Sequence, residues 1–227
     1  MIISDEKKFV FLHNPKAAGT TVRFALNKFD SYNSKFWRNE CEELGRYGDM
    51  AHLSIQSLKS FFPEEYNKTV DYYTFGFVRD PLKRFFSGFN ETHKALLQRV
   101  NEEPDFMEEY KGVLKRYTET QLSCSHPEGW YTHIKPQKEV FYDEGRCIAD
   151  LVVKIENPFP DVNAISNVVG SDVEHCVTRA LTGKPRNKKP LSFTPSDLLS
   201  VEYLNALMDY YSDDYKLFEY PLEFYKS

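Results

Sequence analysis

Phe9-Val10-Phe11-Leu12-His13-Asn14-Pro15-Lys16-Ala17-Ala18-Gly19-Thr20-Thr21-Val22-Arg23-Phe24 decides the fold. Its first four residues are an apolar run of the kind a buried strand needs, and after a tight polar turn Val22, Phe24 and Ala25 resume as a helix pattern. A strand that passes through Gly and Thr into a helix gathers backbone N–H groups at the helix N-terminus, where the macrodipole also favours negative charge. Lys16 adds a mobile positive charge, while Thr20 and Thr21 are of the types that cap a helix and donate hydroxyls. The turn therefore reads as an anion site, against the plainer reading of an ordinary strand-to-helix turn with a surface lysine. It is not a Walker A loop, because that pattern sets Lys between Gly and Ser/Thr, whereas Lys16 precedes Gly19.

A second strand is expected at Tyr72–Val78, rich in β-formers and ending at Arg79-Asp80-Pro81. Asp80 and Pro81 suit the cap and first turn of a helix, whose apolar stripe runs through Leu82, Phe85, Phe86, Phe89, Leu96, Leu97 and Val100. Lys83, Ser87, Asn90 and Lys94 fall on another face, so a strand-end arginine and Ser87 can serve a second phosphate; a surface Arg79 paired with Asp80 and a solvated serine is the plainer alternative. Between the strands, 30–48 has no clear period, a short helix is expected at Ser57–Phe62 with Pro63 closing it, and His52 stands alone in a semi-apolar setting. Downstream, 101–119 reads as a charged helix, Gln121–Trp130 as loop, Leu151–Ile155 as a β-branched strand, and Phe159–Val169 and Asp172–Leu181 as helices separated by Gly170. A last helix starts at Thr194-Pro195-Ser196-Asp197, with Leu204, Leu207, Met208 and Tyr211 as its stripe.

The totals bound the class. At 227 residues with no Gly/Ser- or Pro-rich linker, the chain reads as one α/β domain, 1–227, with a central, mainly parallel sheet flanked by helices. The 41% hydrophobic content, with 18 Phe and 15 Tyr, suffices for a sizeable core. A net charge of −5 argues against a nucleic-acid partner, which requires excess Lys and Arg. No run is long enough to span a bilayer and no signal-peptide pattern opens the chain, so no stable membrane insertion and a cytoplasmic location are expected. Cys41, Cys124, Cys147 and Cys176 lack any Cys-x-x-Cys pairing and read as reduced thiols. No metal-ligand spacing is present.

Pro15-Lys16-Ala17-Ala18-Gly19-Thr20-Thr21 resembles the 5′-phosphosulfate loop of the membrane-associated carbohydrate sulfotransferase family, whose usual form is Pro-Lys-x-Gly/Ala-Gly-Thr-Ser/Thr. Phe77-Val78-Arg79-Asp80-Pro81-Leu82-Lys83-Arg84-Phe85-Phe86-Ser87-Gly88-Phe89 resembles the same family's 3′-phosphate motif, with its Arg and Ser eight apart. His133-Ile134-Lys135-Pro136-Gln137, followed by a strand ending in Glu156-Asn157, is similar to a third block, and Tyr211–Tyr220 to the closing signature.

The resemblance implies a P-loop-like sulfotransferase fold and 3′-phosphoadenosine 5′-phosphosulfate as donor, its sulfuryl group passing in line to a hydroxyl of a carbohydrate or other acceptor without a metal. It implies that Lys16 stabilises the leaving oxygen, that residues Ala17, Ala18, Gly19, Thr20 and Thr21 hold the 5′-phosphate, and that Arg79 and Ser87 hold the 3′-phosphate. Arg186, Lys188 and Lys189, in the one concentrated basic segment, match a lid over the nucleotide; such a segment is otherwise a solvated loop. A sugar hydroxyl calls for a general base, and a histidine suits the task. His52 lies in the interval where some uronyl-sulfating relatives carry theirs, although the Gly of their Gly-His-Val segment is missing here; His133 and a carboxylate from 40–49 are the alternatives. Trp37 and Trp130 are candidate sugar platforms, though core packing is their commoner use. Two other function classes remain: a P-loop-like nucleotide kinase, which lacks its Gly-Lys-Ser/Thr magnesium site here, and a non-catalytic nucleotide- or glycan-binding protein, which intact Lys16, Arg79 and Ser87 argue against.

Overall fold

The computed structural model describes residues 1–37, 49–123, 131–183 and 193–226. They form two compact units, Met1–Arg79 with Gln137–Arg186, and Asp80–Pro136 with Asn187–Ser227. The first unit opens with β1 (Ile2–Ser4), β2 (Phe9–Leu12), α1 (Gly19–Leu26), α2 (Ile55–Phe61), α3 (Pro63–Asp71) and β3 (Tyr73–Val78). The chain then enters the second unit as α4 (Pro81–Thr92), α5 (Lys94–Glu102), α6 (Met107–Leu122) and α7 (Tyr131–Ile134). It returns as α8 (Lys138–Phe141), β4 (Tyr142–Asp143), β5 (Arg146–Cys147), β6 (Leu151–Lys154), α9 (Phe159–Val169) and α10 (Ser171–Thr182), and ends in the second unit with α11 (Pro195–Leu198), α12 (Val201–Tyr210) and α13 (Ser212–Leu217).

The first unit is built on the sheet β1-β2-β3-β6, with β2, β3 and β6 parallel and β1 an antiparallel edge. Parallel strands are covered on both faces, which is why β2 is an unbroken apolar run and β3 is buried on both faces from Thr74 to Val78. On one face Phe9, Phe11, Phe75, Phe77 and Val153 pack against Val22 and Leu26 of α1, Val162, Ile165 and Val169 of α9, and Val173 and Val177 of α10. On the other face Gly76 admits α8: a Cβ there would stand 2.5 Å from the Phe141 ring. The expected fold class holds. The sequence reading missed β1, whose three residues are too few to show a period, and α3, because Pro63 ends α2 and also serves as the first residue of the next helix.

The β4–β5 hairpin turns through Glu144 and Gly145, both at positive φ (48° and 82°), as a two-residue loop between twisted strands requires. Its Asp143 carboxylate, buried in the fold, accepts from Gln56 Nε2 (2.6 Å), Lys59 Nζ (2.8 Å) and Tyr66 Oη (2.5 Å), which ties α2 and α3 to the hairpin.

In the second unit Asp80 caps α4 by accepting from Lys83 N at 2.8 Å, with Pro81 in the first turn as expected. Phe85 and Phe89 of α4 pack with Tyr110, Leu114 and Tyr117 of α6 and with Leu204, Leu207, Met208 and Tyr211. The stripe from Leu82 to Val100 is two helices rather than one: at His93 (φ −115°, ψ 41°) the imidazole stacks on Phe89 and bonds its carbonyl at 3.1 Å, a local alternative to continuing the helix. The Thr194–Asp197 capping box forms as expected, yet α11 stops at Leu198 and Ser200 begins α12. Arg84, fully buried, donates to the Lys135 carbonyl (2.7 Å), and Tyr211 Oη donates to that of Ile134 (2.5 Å). Cys147 and Cys176 are free, half-buried thiols; Cys41 and Cys124 lie outside the described residues. No helix among the described residues is long and apolar enough to cross a membrane.

The Lys59 ammonium, the Tyr66 hydroxyl and the Gln56 amide beside Asp143 hold its carboxyl below the usual carboxylate range. A depressed folded value means stability that is present above the unfolded pKa and lost as pH falls through the folded one. Asp143→Ala is therefore expected to destabilise the protein by about 1–3 kcal/mol near neutrality. Thermal melts of variant and wild type from pH 7 down to pH 3 should show the gap narrowing as the carboxylate protonates.

Candidate functional site

β2 ends at Leu12, and the chain turns through His13, Asn14 and Pro15 into Lys16, Ala17 and Ala18 before α1. Lys16 and Ala18 both adopt left-handed backbone, at φ 64° and 60°. Left-handed residues set just before a helix turn successive N–H groups inward into an anion-binding concavity. The first helical bond of α1 is Val22 N–H to Ala18 C=O at 3.2 Å, so the N–H groups of Gly19, Thr20 and Thr21 precede the helical ladder. One expectation fails here. Thr20 and Thr21 do not cap α1: the N-cap is Ala18, without a side-chain bond, and the two threonines lie inside the first turn, Thr20 exposed and Thr21 half-buried.

Gly19 answers to a close approach rather than to its φ. A Cβ on it would stand 1.9 Å from His13 Cδ2, so the His13 ring lies directly against the loop backbone. Other rings beside His13 are those of Trp37 (centroids 5.5 Å apart, stacked), His52 (4.7 Å) and Phe11 (6.4 Å). Trp37 also carries the Arg23 guanidinium 4.6 Å from its centroid. Half-buried Trp37 thus packs against both His13 and Arg23, in keeping with the packing reading of this residue.

His52 closes the short 3₁₀ turn Met50–His52, which Asp49 caps by accepting from Ala51 N at 2.9 Å. The other Asp49 oxygen is 2.7 Å from His52 Nδ1. An ionised carboxylate only accepts, so Nδ1 is the donor, and in the neutral ring the lone pair then resides on Nε2.

Arg79 follows the last residue of β3. Its guanidinium reaches the Lys16 carbonyl at 3.4 Å, its N–H donates to Gln137 Oε1 at 3.0 Å, and its carbonyl accepts from Gln137 Nε2 at 2.8 Å. Asn14 Nδ2 donates to the same Gln137 Oε1 (2.8 Å) and to the Phe77 carbonyl (2.9 Å). Both amides are buried.

Of the residues singled out from the sequence, the structure thus brings Lys16 and Arg79 into contact and links Gly19 to His52 through His13. Ser87 and His133 belong to the second unit, where Ser87 is half-buried on α4 and the neighbouring Gly88 leaves room for the α7 backbone: a Cβ there would lie 3.2 Å from the His133 carbonyl oxygen. Arg186, Lys188, Lys189, Trp130 and, of the 40–49 carboxylates, all but Asp49 lie outside the described residues. Sequence reasoning missed the parts played by His13, Asn14 and Gln137, and reached Asp49 only as one of the 40–49 carboxylates, not as the partner of His52. For Asp49 a signal existed, since an Asp opening a turn three residues before a His is a capping pattern. Among the described residues no group of three or more His, Cys, Asp or Glu converges as a metal site.

A model of the sulfotransferase family matches residues 1–221. No curated protein and no solved structure matches the chain.

The contact between Gly19 and His13 yields a direct check. Gly19→Ala should lower the melting temperature, because its methyl occupies the space of a buried ring. Trimming that ring in the double variant His13→Ala/Gly19→Ala should recover part of the loss; if instead the two losses add, the collision is not the reason for glycine here.

Proposed function

The chain belongs to the sulfotransferase family, and we propose that its donor is 3′-phosphoadenosine 5′-phosphosulfate and its acceptor a hydroxyl, in the first place one on a carbohydrate. The observation that carries this reading is the donor set at the end of β2: left-handed Lys16 and Ala18, the leading N–H groups of α1, and the Arg79 guanidinium against the Lys16 carbonyl. That set suits an anionic nucleotide. The donor supplies an activated sulfuryl group when bound. The N–H groups of Gly19, Thr20 and Thr21 and the two threonine hydroxyls would hold its 5′-phosphate, and Arg79 its 3′-phosphate, with Ser87 assigned beside it by motif spacing alone. Arg186, Lys188 and Lys189 are assigned to the nucleotide on the family resemblance only.

Lys16 would neutralise the charge that gathers on the leaving phosphate oxygen as its bond to sulfur breaks, an electrostatic task that a positioned ammonium performs without reorganisation. His52 would take the acceptor's hydroxyl proton at Nε2 as the new O–S bond forms. Asp49 supports this role by fixing the tautomer and by stabilising the imidazolium that results. The His13 contact supports it too, since one ring spans from the donor loop to His52. His133 is the second candidate base.

Incubation with labelled donor and a panel of glycan acceptors tests the reading, with desulfonated nucleotide as the readout. Nucleotide affinity without turnover on any acceptor would make the protein a binding module. Lys16→Ala is expected to cut kcat by about 10²-fold or more. Arg79→Ala should weaken the 3′,5′-bisphosphate product by about tenfold or more in calorimetry. His52→Ala should keep donor affinity and lose roughly 10²–10⁴-fold in kcat; near-normal turnover would move the base to another residue.

A further inference from the structure

β2 stops pairing with β3 at Leu12 opposite Gly76, yet β3 continues through Phe77 and Val78 to Arg79. Beyond that point Val78 keeps its backbone bond on the β6 side, its carbonyl accepting from Ile155 N–H at 2.9 Å, while polar groups of Phe77 and Arg79 are bonded by side chains. Asn14 Nδ2 donates to the Phe77 carbonyl, the place a strand neighbour's N–H would take, and the Gln137 amide bonds both the N–H and the C=O of Arg79 as a peptide group would. Asn14 Nδ2 and Arg79 N–H both donate to Gln137 Oε1, which fixes the amide's orientation with Nε2 toward the Arg79 carbonyl. Asn14 is 1% exposed and Gln137 0%, so water does not compete for these bonds.

We propose that Gln137 is a positioning residue for Arg79: by holding both main-chain polar groups of that residue it sets the direction in which the guanidinium leaves the strand end, and through it the recognition of the donor's 3′-phosphate. The inference rests on the donor reading above. Arginine has four side-chain torsions, so a guanidinium placed at a phosphate is only as well aimed as the backbone that carries it. Gln137 has no need to touch the nucleotide to matter. Its chemical polarity matters instead, because a carboxylate of the same shape would set an oxygen against the Arg79 carbonyl.

The readout is the ratio of affinities for adenosine 3′,5′-bisphosphate and adenosine 5′-phosphate, measured by calorimetry on the full chain. It isolates the 3′-phosphate from the rest of the nucleotide. Gln137→Glu and Gln137→Met are compared with wild type, and Arg79→Ala sets the floor. The expected result is a preference for the bisphosphate in wild type that falls by about tenfold or more in a folded Gln137 variant, with affinity for the monophosphate within about threefold of wild type. If Gln137→Met does not fold, the nearly isosteric Gln137→Glu decides. A folded variant that keeps the wild-type ratio, or that loses both nucleotides in equal measure, overturns the positioning role. A wild type without preference for the bisphosphate removes the donor reading itself, and the inference with it.

Discussion

The ladder between β2 and β3 pairs Phe9 with Tyr73 and Leu12 with Gly76. Because the strands are parallel, both leave the sheet at the same edge, so the turn after β2 and the residue after β3 emerge side by side. Lys16 and Arg79 meet for this reason, although 63 residues separate them. A slip of one position would turn Phe9 and Phe11 away from the helices that cover them and would separate the turn from Arg79 at once. The register is therefore held by the four phenylalanines of one face and, on the other, by the missing side chain of Gly76 under Phe141.

The turn itself is held against its local preferences. Left-handed backbone at Lys16 and Ala18 costs roughly 1–2 kcal/mol for each residue, and the buried Asn14 Oδ1 has no hydrogen-bond partner among the described residues. A burial of that kind costs about 1–3 kcal/mol. These terms are offset by what surrounds them: Ala17 is fully buried against the α1 side of the sheet, and the Asn14 and Gln137 amides replace the ladder that β2 no longer provides. Local rules broken inside an otherwise well-formed scaffold are a common property of ligand-binding turns.

The scaffold was readable because each of its signals is local. β2 shows as an unbroken apolar run and β3 as a run of β-formers, and the caps at Asp80 and Thr194 show as residue types at fixed offsets. Lys16 and Arg79 stood out by motif. Where the reading failed, the competing interaction was either too short or too remote to leave a pattern. Three residues of β1 carry no period; the break at His93 depends on an imidazole bonding its own preceding turn. Gln137 was visible only as the last residue of the His133–Gln137 motif, since its bonds to the Asn14 amide and the Arg79 backbone span 123 and 58 residues and leave no periodic trace. The threonines were misread as caps because a left-handed Ala18 had already taken the N-cap position.

The path of the chain through its two units has a bearing on synthesis. β3 waits for β6 as its second parallel neighbour while 80–136 is made and committed to the other unit. Until then the Tyr73–Val78 edge of an apolar sheet is unpaired, the condition under which nascent chains associate wrongly. The second unit waits as well, because the Tyr211 hydroxyl that holds the Ile134 carbonyl is translated long after α7. The first core is therefore complete only once α10 has followed β6, and the second only once Tyr211 and Tyr215 have been added. A protein of this connectivity should lean on whatever shields a nascent sheet edge more heavily than one of equal size whose strands pair in sequence order.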